Sequence, residues 1–268
     1  MEVKGLDSLK RFSLKTSVTP KELEAAQALM IRRAAQRLAP KVYTARAVAQ
    51  PPSTDGNVEP WELTKDSLEI DRGNEKIGVV KMAYDATHLY LAYLVRDGSP
   101  LKNAGQNEQL MFITGDCVDL MLRTDPTTKD EQPVRGDLRL LFTVKDGKPL
   151  AVIYQPVAPG APASHAAELS SPWRRVHFDR IQAVELPLTL KPVPGGYAVT
   201  TAVPLKLLGV DSLKGKVLRG DFGVLLSDAG GQECTSRNYW CNKFTNNAND
   251  IPDEAMLTPS LWGELRFE

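Results

Sequence analysis

The chain reads as an all-β protein: a two-sheet antiparallel β-sandwich of jelly-roll-like form with an N-terminal helical extension. Three observations point there. From about residue 55 onward, short apolar runs recur, each closed by turn residues. No long helical patterns alternate with them, as a parallel α/β sheet would require. Ahead of residue 50 the apolar spacing is instead helical.

The helix opens at Thr19-Pro20-Lys21-Glu22, where Thr19 caps, Pro20 suits the first helical position and Glu22 completes a capping box. Leu23, Ala26, Met30 and Ala34 follow as a narrow apolar stripe, and Pro40 ends the run. An isolated helix of this length is marginal in water, so it is expected to pack on the sandwich or on a neighbouring domain. Ala49-Gln50-Pro51-Pro52-Ser53-Thr54 is the most linker-like stretch. It divides the chain into an extension, residues 1–50, and a sandwich, residues 51–268.

Strands are expected at Ile77–Met82, His88–Val95, Val118–Arg123, Asp137–Val144, Leu150–Tyr154, Ile181–Leu190, Tyr197–Val203, Phe222–Ser227 and Leu261–Phe267. Asp146-Gly147 signals a hairpin, and Gly195-Gly196 opens another strand. Pro204 to Leu208 reads as one helical turn. The stretch from Pro156 to Trp173, rich in Pro, Ala, Gly and Ser, reads as mobile surface. Gly230 to Pro259 is long and carries Tyr239 and Trp240, which marks it as a functional loop.

Thirty-three basic residues balance thirty-three acidic ones, so no net field draws nucleic acid or an anionic membrane, and neither is expected as a partner. The pair Arg174-Arg175 is too short to change that. No stretch reaches the roughly 20 apolar residues of a membrane span. No signal-like segment opens the chain, leaving a cytosolic protein or a trimmed signal as alternatives. Cys117, Cys234 and Cys241 include no CxxC, and with three scattered histidines they make a poor zinc site. They read as free thiols, although Cys234 and Cys241 flank a loop that they could bridge.

The sequence holds no GxSxG, HExxH or glycine-rich phosphate loop, and a non-catalytic role is expected. Asn242, Asn246, Asn247, Asn249, Asp250 and Asp253 could offer oxygen ligands to a structural calcium ion, or simply brace a long loop; no EF-hand pattern decides between them. Alternation gives a sharper clue. Val118, Leu120 and Leu122 share one face of their strand, leaving Asp119 on the other; Leu138, Leu140 and Phe142 likewise leave Arg139 opposite. Asp119 and Arg139 therefore fall on the non-core face of one sheet, as a plain cross-strand ion pair or as the polar floor of a site.

Several motifs in order resemble the family 9 carbohydrate-binding modules and the wider DOMON-like sandwich group. They are Asp55-Gly56 before Trp61, Ala83-Tyr84-Asp85-Ala86-Thr87-His88-Leu89-Tyr90-Leu91, and Gly115-Asp116-Cys117-Val118-Asp119-Leu120. Gly196-Tyr197 through Ala202-Val203-Pro204, Phe222-Gly223-Val224 with Asp228, Tyr239-Trp240, and Trp262-Gly263-Glu264-Leu265 complete the series, which spans about residues 55 to 268. The resemblance implies non-catalytic binding of poly- or oligosaccharide by a secreted module, extracellular or periplasmic, covalently attached to a catalytic domain that degrades polysaccharide. It places Asp119 and Arg139 where the family's Glu and Arg bond sugar hydroxyls.

The family's two clamping tryptophans, by contrast, fall at Ile113, beside Phe112, and at Met256. A rebuilt site would draw on Asp119, Arg139, Phe112, Trp240, Asn242 and Lys243, with loops Asn103–Thr114 and Arg237–Met256 as its rim. The alternative is a structural or protein-interaction sandwich that has lost its sugar site. Haem, bound by some DOMON-like relatives, is disfavoured because all histidines lie at or before His177.

Overall fold

Thr19 and Glu22 exchange the hydrogen bonds of the expected capping box, and helix α1 (Pro20–Arg37) follows. The computed structural model describes residues 19–37, 41–129, 132–244 and 250–268. The helix meets the rest of the chain along a line that shares only Leu23 with the described part of the apolar stripe. Leu23 and Gln27 are half-buried, whereas Ala26 is exposed and Met30 is 69% exposed; the Ala34 side chain lies outside the described residues. The Gln27 amide donates to Asp253 Oδ2 at 3.1 Å and accepts from Arg174 Nη2, so a polar latch takes the place of a hydrophobic seam.

Strand β1 (Val42–Ala47) begins ahead of residue 51, where the sandwich was expected to start. It lies inside the sandwich, parallel to both β15 (Gly263–Phe267) and β3 (Glu75–Tyr84), with Tyr43 and Ala45 buried. Its alternation occupies only two core positions, too short a signal to separate from the helix before it. Between them β2 (Leu68–Arg72) pairs with β3, burying Leu68 and Ile70. Next come β4 (His88–Arg96), the single turn α2 (Met111–Thr114), β5 (Cys117–Arg123), β6 (Asp137–Lys145) and β7 (Lys148–Gln155). Asp146 (φ 52°) and Gly147 (φ 74°) make the tight turn between β6 and β7 in left-handed backbone that a two-residue hairpin needs.

The stretch expected as mobile surface ends instead in a hairpin, β8 (Ala167–Ser170) and β9 (Arg175–Phe178). The expected single strand over Ile181–Leu190 is two, β10 (Arg180–Val184) and β11 (Leu188–Val193), and these lie in different sheets. Pro187, without an N–H, interrupts the run where the chain crosses over. Then follow β12 (Gly196–Pro204), the turn α3 (Leu205–Leu208), β13 (Val217–Ser227), β14 (Cys234–Tyr239) and α4 (Ile251–Ala255). The long loop read at Gly230 to Pro259 therefore contains a strand and a helical turn.

One sheet runs β10-β7-β6-β5-β13-β15-β1, with β14 also pairing β13; the other runs β1-β3-β4-β12-β11, with β2 beside β3. Strand β1 joins the two, and apart from its parallel pairings the ladders are antiparallel. The inner faces enclose the main core: Leu91, Tyr93 and Val199 from one side, Leu120, Leu140, Ile153 and Phe222 from the other. Tyr93 crosses the gap, its hydroxyl donating to the Asp119 carbonyl at 2.9 Å.

The outer face of the first sheet carries a second apolar layer, formed with α2, α4 and the β8–β9 hairpin. Met111, Phe112, Leu141, Tyr154, Leu169, Phe178, Ala255 and Trp262 are all buried in it. This layer positions the candidate site.

Candidate functional site

Asp119 on β5 and Arg139 on β6 occupy the outer face of adjacent strands, as alternation predicts. Arg139 Nε donates to Asp119 Oδ2 at 2.7 Å, and Nη2 approaches the same oxygen at 2.6 Å. Tyr239 Oη on β14 donates to that oxygen as well, at 3.0 Å. Gly223 on β13 makes this meeting possible. A Cβ there would stand 2.3 Å from Asp119 Oδ1 and 2.6 Å from Tyr239 Cε1, so only glycine leaves room.

The pair is not open to solvent. The Asp119 and Arg139 side chains are 0% and 1% exposed. Arg139 lies under the rings of Phe112 and Tyr154, with Cζ 5.0 and 5.7 Å from their centroids. α2, α4 and the β8–β9 hairpin close over it with an apolar layer. Burial pushes the Asp119 carboxyl up, against the pull of Arg139 and Tyr239. Burial also opposes the Arg139 charge, but Tyr239, Asp119 and Tyr154 outweigh it and hold the guanidinium protonated.

The segment expected as a rim, Asn103–Thr114, acts as part of this lid. Asn103 is buried and donates to the Met111 carbonyl at 2.9 Å and to Thr143 Oγ1 at 3.0 Å, pinning α2 onto the sheet. Phe112 is fully buried and offers no face to a ligand.

Trp240 is also sealed, at 5% exposure, in the main core, edge-on to Phe222 at 6.2 Å. Asn242 and Lys243 follow it around Asp221. The backbone N–H of Cys241 and that of Asn242 each donate to the Asp221 carboxylate at 2.8 Å. The Lys243 ammonium folds back onto the Tyr239 carbonyl, and burial together with nearby Lys41 lowers its pKa. The sequence-derived residues thus split into Asp119, Arg139 and Phe112 under the lid, and Trp240, Asn242 and Lys243 around Asp221.

Asn246, Asn247 and Asn249 lie outside the described residues. Asp250 caps α4, and Asp253 pairs with Arg174 at 2.7 Å. Among the described residues no group of three or more Asp, Glu, His or Cys side chains is arranged to hold a metal ion. The three cysteines are free thiols, and burial raises the pKa of each, Cys234 to about 11.

The lid covers only part of the outer face. Further along the same strands a groove of about 1130 Å³ remains, between α1, the turn after β5, β9 and residues 256–260. Arg123, Val217 and Arg219 line its floor, and Arg174, Arg175, His177 and Met256 its end. Arg123 is held by Asp137 through two parallel bonds of 2.7 and 2.6 Å, a fork matched to the carboxylate. Trp173, next in sequence to Arg174 and Arg175, is 53% exposed at the turn of the β8–β9 hairpin. Sequence reasoning missed this residue. Its signal was Ser171-Pro172-Trp173, a turn carrying a large aromatic.

Among the solved structures that match the chain are two of a family 9 carbohydrate-binding module from Caldicellulosiruptor kristjanssonii. One is a complex with glucose (TM-score 0.51, 14% identity, 85% of this chain and 96% of that one). The other is a complex with cellotriose (TM-score 0.50, 14% identity, 85% and 94%). The fold is that of a family 9 carbohydrate-binding module. No protein-family model matches the sequence, and no curated protein matches it either.

The two residues that the sequence resemblance aligns with the family's tryptophans part company. Ile113 packs against the sealed layer, whereas Met256 lines the open groove, its Sδ accepting from Arg174 Nη1 at 3.2 Å.

Proposed function

We propose that the chain is a non-catalytic carbohydrate-binding module that takes poly- or oligosaccharide in the open groove rather than over Asp119 and Arg139. The observation that carries this reading is Trp173, a half-exposed indole at the tip of the hairpin whose next residues, Arg174 and Arg175, line the groove. A sugar ring offers an apolar face and a polar edge. An indole supplies a large rigid contact area for the first, and arginine donors suit the hydroxyls of the second. That Met256, at one clamp position of the family pattern, lines the same groove is consistent with it. By analogy with the fold alone, the module works outside the cytoplasm as the accessory of a polysaccharide-degrading domain.

The sealed Asp119–Arg139 pair favours a second reading, a structural or protein-interaction sandwich in which protein side chains have replaced the sugar. Calorimetry of the full chain against a broad panel of neutral and acidic oligosaccharides separates the two. The first reading expects binding in the micromolar to millimolar range and a loss of at least about tenfold in Trp173→Ala. No heat with any oligosaccharide at millimolar concentration would leave the second.

A further inference from the structure

Resting on that reading, we propose that the groove selects a glycan bearing carboxylates, a uronate chain, and that Arg219 is the residue that reads them. Arg219 lies on β13 directly between Arg123 of β5 and Glu264 of β15 in the strand register. Two guanidiniums facing each other across strands repel unless one is already neutralised. Here Arg123 is the neutralised one, since Asp137 holds it by the paired bonds given above. Glu264 is likewise engaged, its carboxylate accepting from Arg266 Nε at 2.6 Å. Arg219 itself is exposed, and among the described residues its hydrogen bond is a single one, from Nη1 to the Trp262 carbonyl at 3.2 Å. A guanidinium carries five donors, and Arg219 lines the groove with most of them left for a ligand.

The rest of the lining sets the same sign. Arg174 is taken up by Asp253, but Lys129 is exposed, and among the described residues Arg175 has a loose partner, Glu168 at 3.6 Å, with its side chain 76% exposed. Of the opposing acids, Asp125 turns back to its own loop, accepting from the Thr127 N–H at 2.9 Å and hydroxyl at 2.6 Å. Glu24, exposed on α1, also lines the groove and offsets one of these positive charges. In a chain of zero net charge this leaves a local excess of cationic donors, Arg219, Lys129 and Arg175, along the groove. Arginine's planar fork matches a carboxylate in two parallel bonds, which an ammonium cannot reproduce.

The test is calorimetry of the full-length protein with three ligands of equal length: an oligogalacturonate, a neutral oligosaccharide and a sulfated one. The uronate oligomer should bind roughly tenfold or more tighter than the neutral one at low salt, a gap of about 1.4 kcal/mol. The gap should narrow at high salt, because the groove is open to solvent. In Arg219→Gln, with an unchanged thermal melt as the check on folding, the ratio of uronate to neutral affinity should fall toward one. Arg219→Lys should recover only part of it. Equal affinity for uronate and neutral oligomers, or an undiminished ratio in Arg219→Gln, overturns this inference and leaves sugar binding standing. Preference for the sulfated oligomer overturns the carboxylate assignment. Absence of binding to all three removes the sugar-binding reading and this one with it.

Discussion

Replacing Arg139 by methionine is the most informative perturbation of the sandwich. The substitution keeps an unbranched chain beneath Phe112 and Tyr154 but strips Asp119 of its cationic partner, leaving the Tyr239 hydroxyl at 3.0 Å. Asp119 has no access to water that could compensate. Breaking a buried ion pair from one side costs about 3–5 kcal/mol, because the surviving charge stays desolvated. Against a total stability of about 5–15 kcal/mol, that is a large fraction. The loss should also depend on pH. Burial already raises the Asp119 carboxyl, and removing the Arg139 charge raises it further, so protonation at acid pH relieves the variant. Urea unfolding at pH 5 and pH 8 should therefore show a deficit that shrinks at pH 5, with an unchanged denaturant slope. The double variant Asp119→Leu/Arg139→Met should lose clearly less than the sum of its single variants. A loss in Arg139→Met below about 1 kcal/mol at pH 8 would refute the sealed-pair account, above all if sugar affinity fell instead.

Three further outcomes follow from the geometry. Gly223→Ala should destabilise by about 1–3 kcal/mol in the same unfolding assay, since its methyl would overlap both Asp119 and Tyr239. Asp221 and Glu254 have pKa values raised by burial from 3.8 and 4.5 to about 7 in each case, against hydrogen bonds from the N–H groups of Asn242, Cys241 and Phe222 and against Arg237 respectively. Both therefore stabilise the fold fully below about pH 4, and that contribution is lost as pH rises through 7, on the order of 4 kcal/mol for Asp221. A series of thermal melts should show stability falling from about pH 4 to pH 7 and levelling off above it, and Asp221→Asn should flatten that slope. Alkylation of Cys117, Cys234 and Cys241 at pH 8 should be far slower in the native protein than in urea, because burial keeps all three thiols protonated.

The long apolar runs were legible in the sequence because they are buried along nearly their whole length: β4, β5, β6 and β12 fall within a residue or two of their expected places. What escaped were elements whose signal is short or borrowed. β1 buries just Tyr43 and Ala45, and β8–β9 holds its shape by lying on the second apolar layer, so its own residues read as loop. Alternation placed Asp119 and Arg139 on the correct face of adjacent strands. It could not say what covers that face, since Phe112, Leu169, Phe178 and Ala255 come from four separate segments. Trp240 illustrates the same gap, because an aromatic in a polar loop reads alike whether it points to solvent or, as here, to Phe222. Trp173 went unnoticed because proline and serine around it spoke only of a turn.

The central claim is that a sugar meets the open groove and not the sealed face, and the four tryptophans report on it directly. Trp173 is half-exposed near the groove, while Trp61, Trp240 and Trp262 are buried elsewhere, at 4%, 5% and 2% exposure. Titrating oligosaccharide into isotope-labelled protein, with the indole N–H resonances followed by NMR, should move the Trp173 signal progressively and leave the other three in place. Movement of the Trp240 or Trp262 signal with Trp173 unchanged would contradict the account.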